Sequence, residues 1–180
     1  MLERLALWVI VKGRRAMRRF LFSVFLVVSC ATGAAAGSFE DGLSAYERGD
    51  YVQAMNHWQP LAAQGDAAAQ FNLGLMYRHG QGVPQDFREA LKWYRMAAEQ
   101  GNAEAQYNLG MMYFAGLGVP KDYAAAHMWF HLATSRYPAS EKAKRERAEV
   151  SRDIAASRMT PAQIAEAKRL AGEWKPKTEP

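Results

Sequence analysis

The 180-residue chain has one cysteine, Cys30. A single thiol excludes an internal disulfide, and a chain processed after residue 36 has neither a thiolate ligand nor a cysteine nucleophile. Long apolar runs are missing too: Phe20 to Val28 falls far short of the ~20 residues that a spanning helix needs. An excess of one charge is the third absence, although the whole chain, at +5 with a pI of about 9.4, suggests otherwise. Residues 1–36 take six of the 23 basic and one of the 18 acidic side chains, leaving 17 of each. No stripe of basic and aromatic residues remains to track phosphates, which argues against nucleic acid as a partner.

What the N-terminus does contain is a leader pattern. Met17-Arg18-Arg19 precedes the apolar run, and small residues ending Ala34-Ala35-Ala36 follow it, the order of a secretory signal peptide cleaved after Ala36. Residues 1–16 hold a second apolar patch, Leu5 to Val11, and then Arg14-Arg15, so the start is either Met1 or Met17. Val27-Val28-Ser29-Cys30 loosely resembles a bacterial lipobox without its usual Leu and Ala-Gly, and in that second reading Cys30 is lipidated. Export without disulfides points to a bacterial envelope compartment, periplasmic or secreted, with an outer-membrane lipoprotein as the alternative. Membrane contact is expected only if Cys30 is lipidated.

The body of the chain is organised around a repeat. Residues 65–100 and 101–136 align without a gap, with a period of 36 and 17 of 36 positions shared. Gly65/Gly101, Ala69/Ala105, Gln70/Gln106, Asn72/Asn108, Leu73/Leu109, Gly74/Gly110, Tyr77/Tyr113, Ala90/Ala126, Trp93/Trp129, Ala97/Ala133 and a GxGVPxD run recur. Asp66 and Asn102 stand where they can cap a helix, and Ala69, Leu73 and Tyr77 at i, i+4, i+8 share a face. Gly74 lacks a side chain, which allows close approach of a partner helix. Gly80 and Gly82 permit positive φ, Pro84 holds Val83 extended, and Asp86 caps the second helix with Glu89 completing a capping box. The glycines have no following Lys-Ser/Thr and no preceding strand, so the run is a helix-to-helix turn and not a phosphate cradle. Ala90, Trp93 and Ala97 form the stripe that packs back.

Together these residues resemble the Sel-1-like repeat, a long-looped subfamily of the tetratricopeptide superfamily. The resemblance implies an all-α, right-handed solenoid of helix pairs whose usual work is holding other proteins together. Residues 38–64 read as a shortened, tetratricopeptide-like pair: Gly42 matches Gly74 and Trp58 matches Tyr94, but Gly42 to Asp50 is 8 residues where Gly74 to Asp86 is 12. Three pairs are about the minimum that encloses a continuous core. Residues 137–174 then supply a C-terminal capping pair. Ala139 to Arg158 reads as one charged helix with a stripe of Ala143, Val150 and Ile154. The last helix starts at Thr160-Pro161-Ala162-Gln163 and carries Ile164, Ala167, Leu170 and Trp174 on one side. Residues 175–180 are expected to be disordered.

Chemistry is thin on this sequence. His127 and His131 have the spacing of a zinc pair, but Met128 stands where a metalloprotease places its Glu, and no third ligand is evident. They read as two half-buried, hydrogen-bonded histidines, while His57 and His79 are isolated and no Ser-His-carboxylate constellation is recognisable. Met76, Met96, Met111, Met112 and Met128, with Trp58, Trp93 and Trp129, read as core. No metal, cofactor or catalysis is expected. Asn72 and Asn108 resemble the tetratricopeptide position whose Asn bonds an extended peptide, the other reading being a bond to a neighbouring helix or loop. In the first reading Ala68/Glu104, Leu75/Met111, Arg78/Phe114 and His79/Ala115 set the selectivity of a groove for a protein or peptide partner. Cysteine-rich members of the family are linked to β-lactam hydrolysis, but the paired cysteines that mark them are absent here. An envelope lipoprotein of cell-wall or polysaccharide assembly is the third reading.

Overall fold

Capping residues set the helix boundaries. The structure is a computed structural model that describes residues 38–177. Ser38, Asp50, Asp66, Asp86, Asn102, Asp122 and Thr160 each accept a first-turn backbone N–H, satisfying a donor that has no partner inside its helix. They open α1 (Phe39–Glu47), α2 (Tyr51–Ala63), α3 (Ala67–His79), α4 (Phe87–Glu99), α5 (Ala103–Ala115), α6 (Tyr123–Arg136) and α8 (Pro161–Glu173). Helix α7 (Lys142–Ala156) has no side-chain cap and is entered through a single 3₁₀ turn, Ala139–Glu141, after Pro138. The described residues contain no strand. The all-α solenoid expected from the repeat is what forms: α1–α2, α3–α4 and α5–α6 pair, each pair stacks on the next through α2–α3 and α4–α5, and α6 packs against both α7 and α8.

Within each pair a ring lies on a glycine. A Cβ added to Gly42, Gly74 or Gly110 would fall less than 3.0 Å from the rings of Trp58, Tyr94 and Phe130 respectively. The match of Gly42 to Gly74 and of Trp58 to Tyr94 thus describes one contact used three times. All three rings are fully buried, each contributing about 2–3 kcal/mol of apolar burial. Trp58 also donates Nε1–H to the Phe39 carbonyl at 3.2 Å.

Cores form between neighbouring units. Ala45, Ala54, Met55, Trp58 and Ala62 meet Ala69, Leu73 and Met76 of the next pair. Ala90, Tyr94, Ala97 and Ala98 meet Ala105, Leu109 and Met112. Phe130 and Ala126 then meet Ala155 of α7, while Ala133 and Tyr137 meet Ala148. Buried Gln70 and Gln106 tie the same junctions: each donates its amide at 3.1 Å to a carbonyl near the end of the preceding helix, Ala62 and Ala98.

The long loops make a second junction. Gly82 and Gly118 adopt positive φ of 73° and 69°, and a Cβ on either would strike the backbone that begins the second helix of the unit before, at Tyr51 and at Phe87. Glycine is required there twice over, by conformation and by space.

Several expectations are corrected. The buried stripe of α4 is Ala90, Tyr94, Ala97 and Ala98; Trp93 is half-buried, because its neighbour Tyr94 takes the place over the glycine. Met96 is 37% exposed and so is not core. No capping box closes at Asp86, since the Glu89 carboxylate pairs with Lys92 at 3.2 Å, whereas the box between Thr160 and Gln163 does close. On α7 the buried positions are Ala148 and Ala155, and Val150 and Ile154 are 59% and 47% exposed, because small residues let a charged helix lie close on α6. On α8 Ala171 takes the buried place expected of Leu170. Residues 175–177 are docked, not free: Lys177 donates its N–H to the Glu99 carbonyl at 2.8 Å and its ammonium to the Glu99 carboxylate at 2.7 Å. Residues 1–37, including the leader and Cys30, and residues 178–180 lie outside the described residues.

Candidate functional site

The candidate groove residues all lie on the first helices of their pairs, α3 and α5. Their surroundings differ sharply between the two copies. Asn108 is buried and doubly engaged: its Oδ1 accepts from the Arg78 guanidinium at 2.6 Å and its Nδ2 donates to the Glu104 carbonyl at 2.8 Å. Arg78 thereby links the first long repeat to the second. Asn72 is half-buried and makes no such bond, and Ala68 beside it is exposed. The two asparagines read as equivalent are therefore not, because Arg78 reaches one of them while the residue matching Arg78 one unit earlier is Tyr46, whose hydroxyl donates to Gln81 at 2.9 Å.

Glu104, Met111 and Phe114 face the C-terminal cap. Glu104 receives Lys144 at 2.7 Å and the Tyr137 hydroxyl at 3.0 Å, with Arg147 at 3.8 Å. Burial, and after it the Glu104 charge, pushes the Tyr137 phenol well up. Met111 and Phe114 line a small cleft of about 110 Å³ with Phe130, Ser151 and Ile154. Leu75 is half-buried against the core of the next unit, and His79 and Ala115 are exposed at the ends of their helices. Burial raises the Tyr94 phenol to about 12, the Arg78 cation opposing.

An apolar row crosses these helices. Leu43, Leu75 and Met111 each follow the glycine on which a ring is stacked, so they hold one equivalent position in α1, α3 and α5; Ile154 of α7 shares the small cleft with Met111. Leu43 and Ile154 at the two ends are 41% and 47% exposed. The sequence signal for this row was available in the residue after each repeated glycine, but no residue type marks it.

The histidines behave differently from expectation. His127 is fully buried, His131 half-buried, and neither Nδ1 has a partner among the described residues. Burial first, then Arg152, His131 and Lys168, lowers His127 to about 4, with Asp153 opposing; burial, Arg152 and Lys168 lower His131. Among the described residues no group of three or more His, Cys, Asp or Glu could hold a metal ion.

The Sel1 repeat model matches residues 34–66, 67–102 and 103–136, more than half of the chain. The chain belongs to the Sel1 repeat family. Its first match falls on the shortened pair α1–α2. Among solved structures, this Sel1 chain is similar to a protective antigen of uropathogenic Escherichia coli displaying an SLR fold, with TM-score 0.67 and 33% identity over 74% of this chain and 28% of the antigen. It is also similar to a Sel1 repeat protein from Oxalobacter formigenes, with TM-score 0.55 and 30% identity over 74% of this chain and 60% of that one. DAP3-binding cell death enhancer 1 of Rattus norvegicus and of Mus musculus is 41% identical over 45 residues, 25% of this chain. The Sel1 chain spans 9% of the length of those two curated relatives.

The family's fold is generally that of a non-catalytic scaffold for protein–protein interaction. Sel1 glycines and alanines account for the packing here. The signature residues Gln70 and Gln106, recurrent in the sequence but given no role there, are the junction ties described above.

Proposed function

We propose that this Sel1 chain is an exported, non-catalytic scaffold of the bacterial envelope that holds a protein segment along the face of its first helices. The observation that carries the reading is the apolar row Leu43, Leu75, Met111 and Ile154, one side chain per helix and exposed at both ends. An extended segment with apolar side chains fits such a row, and Asn72, which makes no side-chain bond among the described residues, would take one of its backbone groups. Asn108 and Glu104 serve the fold instead, through Arg78 and Lys144. The leader pattern supports export, with cleavage after Ala36 or lipidation at Cys30 as its two forms.

The test is capture from an envelope extract with wild type beside the Leu43→Asp, Ile154→Asp double variant. A partner held by the wild type and lost by the variant supports the row, and equal retention by both removes it. Mass spectrometry of the mature N-terminus, together with cell fractionation, decides the location: Gly37 as first residue supports cleavage after Ala36, and a full-length cytoplasmic chain overturns export.

A further inference from the structure

Each long loop is seated on the helix start of the unit before it. The two seats share their construction: a capping Asp followed by an aromatic residue, Asp50-Tyr51 under Gly82 and Asp86-Phe87 under Gly118. The contact is made by backbone, and a Cβ at either glycine would come within 3.0 Å of it. A third pair of the same kind, Asp122-Tyr123, begins α6, with Asp122 accepting from the N–H groups of Ala124 and Ala125.

Among the described residues no loop covers that third start. The connection that follows α7, Ser157 to Thr160, contains no glycine and runs straight into α8. It leaves a cleft of about 480 Å³, walled on one side by Lys121, Tyr123 and Ala124 and on the other by Arg158, Met159 and Gln163. Lys121 and Arg158 are exposed at its rim and form no ion pair among the described residues.

We infer that this cleft is an open third loop seat that takes a glycine turn of the Gly-x-Gly-Val-Pro kind presented by a partner protein. The chain itself seats that turn twice on the same ground, Gly82 against Tyr51 and Gly118 against Phe87, so the surface is already matched to it in shape and backbone chemistry. The two rim cations outnumber the one carboxylate that lines the cleft, Asp122, which is engaged with the Ala124 and Ala125 N–H groups. They favour a carboxylate beside the turn, as at Asp122 in the chain's own sequence. The seat lies on the loop edge, away from the apolar row of the first helices, and stands whether or not that row binds anything.

A fluorescent peptide copying residues 114–124 tests it, titrated into the full chain and followed by anisotropy. The expected result is saturable binding with a Kd below about 1 mM, weakened about tenfold or more by Gly118→Ala in the peptide. Ala124→Trp in the protein, which fills the seat, abolishes binding. Met159→Trp fills it from the opposite wall and replaces the first variant if circular dichroism shows that variant unfolded. Absence of binding up to about 1 mM, equal affinity for the two peptides, or binding that survives the filling of the seat overturns the inference.

Discussion

At Gly74 and Gly110 a hydrogen atom stands where any other residue places a carbon, and an aromatic ring occupies the space. Gly74→Ala would gain up to about 1 kcal/mol of helix propensity, but forcing Tyr94 aside costs about 1–3 kcal/mol. The expected outcome is a lower Tm. Gly172 is the internal control: it lies in α8 with nothing within 4 Å of an added Cβ, so Gly172→Ala raises the Tm, by up to about 1 kcal/mol of stability. Thermal melts of both variants check the pair, and equal shifts in one direction would contradict it. The asparagines separate in the same manner. Asn108→Ala leaves Arg78 without its acceptor and removes the second, side-chain bond to the Glu104 carbonyl, for a loss of about 1–3 kcal/mol, whereas Asn72→Ala stays within about 0.5 kcal/mol. Urea titration distinguishes them. A binding assay on a variant that combines Asn72→Ala with Asn108→Ala would mix folding with recognition, so Asn72→Ala alone is the informative change.

Helix α6 carries a pH dependence in His127, which is fully buried. Its folded pKa, about 4, lies below the unfolded value of 6.5, so the unfolded chain takes the proton first. Stability from this residue is complete above pH 6.5 and is lost as the pH falls toward 4, by about 3 kcal/mol in total. The groups around it are Arg152 and Asp153 of α7, Lys168 of α8 and His131 of α6; all but Asp153 resist the charge. His127→Leu is expected to flatten the decline between pH 6.5 and pH 4 in urea midpoints, and an unchanged slope would rule the assignment out. Elements were legible in the sequence to the degree that their cause is local. Asp66, Asp86, Asn102 and Thr160 announce helix starts because capping needs only the next three residues, and the repeated glycines announce turns. The buried stripe of α7 was not legible, and that of α8 only at Ala167, because Ala148, Ala155 and Ala171 are ordinary helix formers whose burial depends on what α6 presents. The unlike surroundings of the two asparagines were not legible for the same reason: which of them is engaged depends on the reach of Arg78 from another repeat, which no spacing within one copy encodes.

Across the whole molecule, stability is a chain of neighbours, each pair closing the face that the last one left open. Helices α7 and α8 end the series by covering Phe130, Ala126 and Ala133 with alanines, while charged residues face outward. Trp174 adds a clasp, stacked edge-on against Trp129 at 6.3 Å with the Arg136 guanidinium at 4.9 Å. A chain ending at Arg136 exposes that face and is expected to self-associate or lose cooperative unfolding. Sedimentation velocity and thermal melts read both effects, and a monomer melting like the full chain would show the cap dispensable. The loop junctions carry a different consequence. Gly118 rests on Phe87 and Gly82 on Tyr51, and Gln106 ties to Ala98 as Gln70 ties to Ala62, so the glycine seats and glutamine ties of successive joints are interchangeable. Excising residues 67–102 would set Gly118 over Tyr51 and Gln106 beside Ala62, contacts of a kind already present. Such a chain can lengthen or shorten by whole copies while keeping these seats and ties, and its length then changes in steps of one copy.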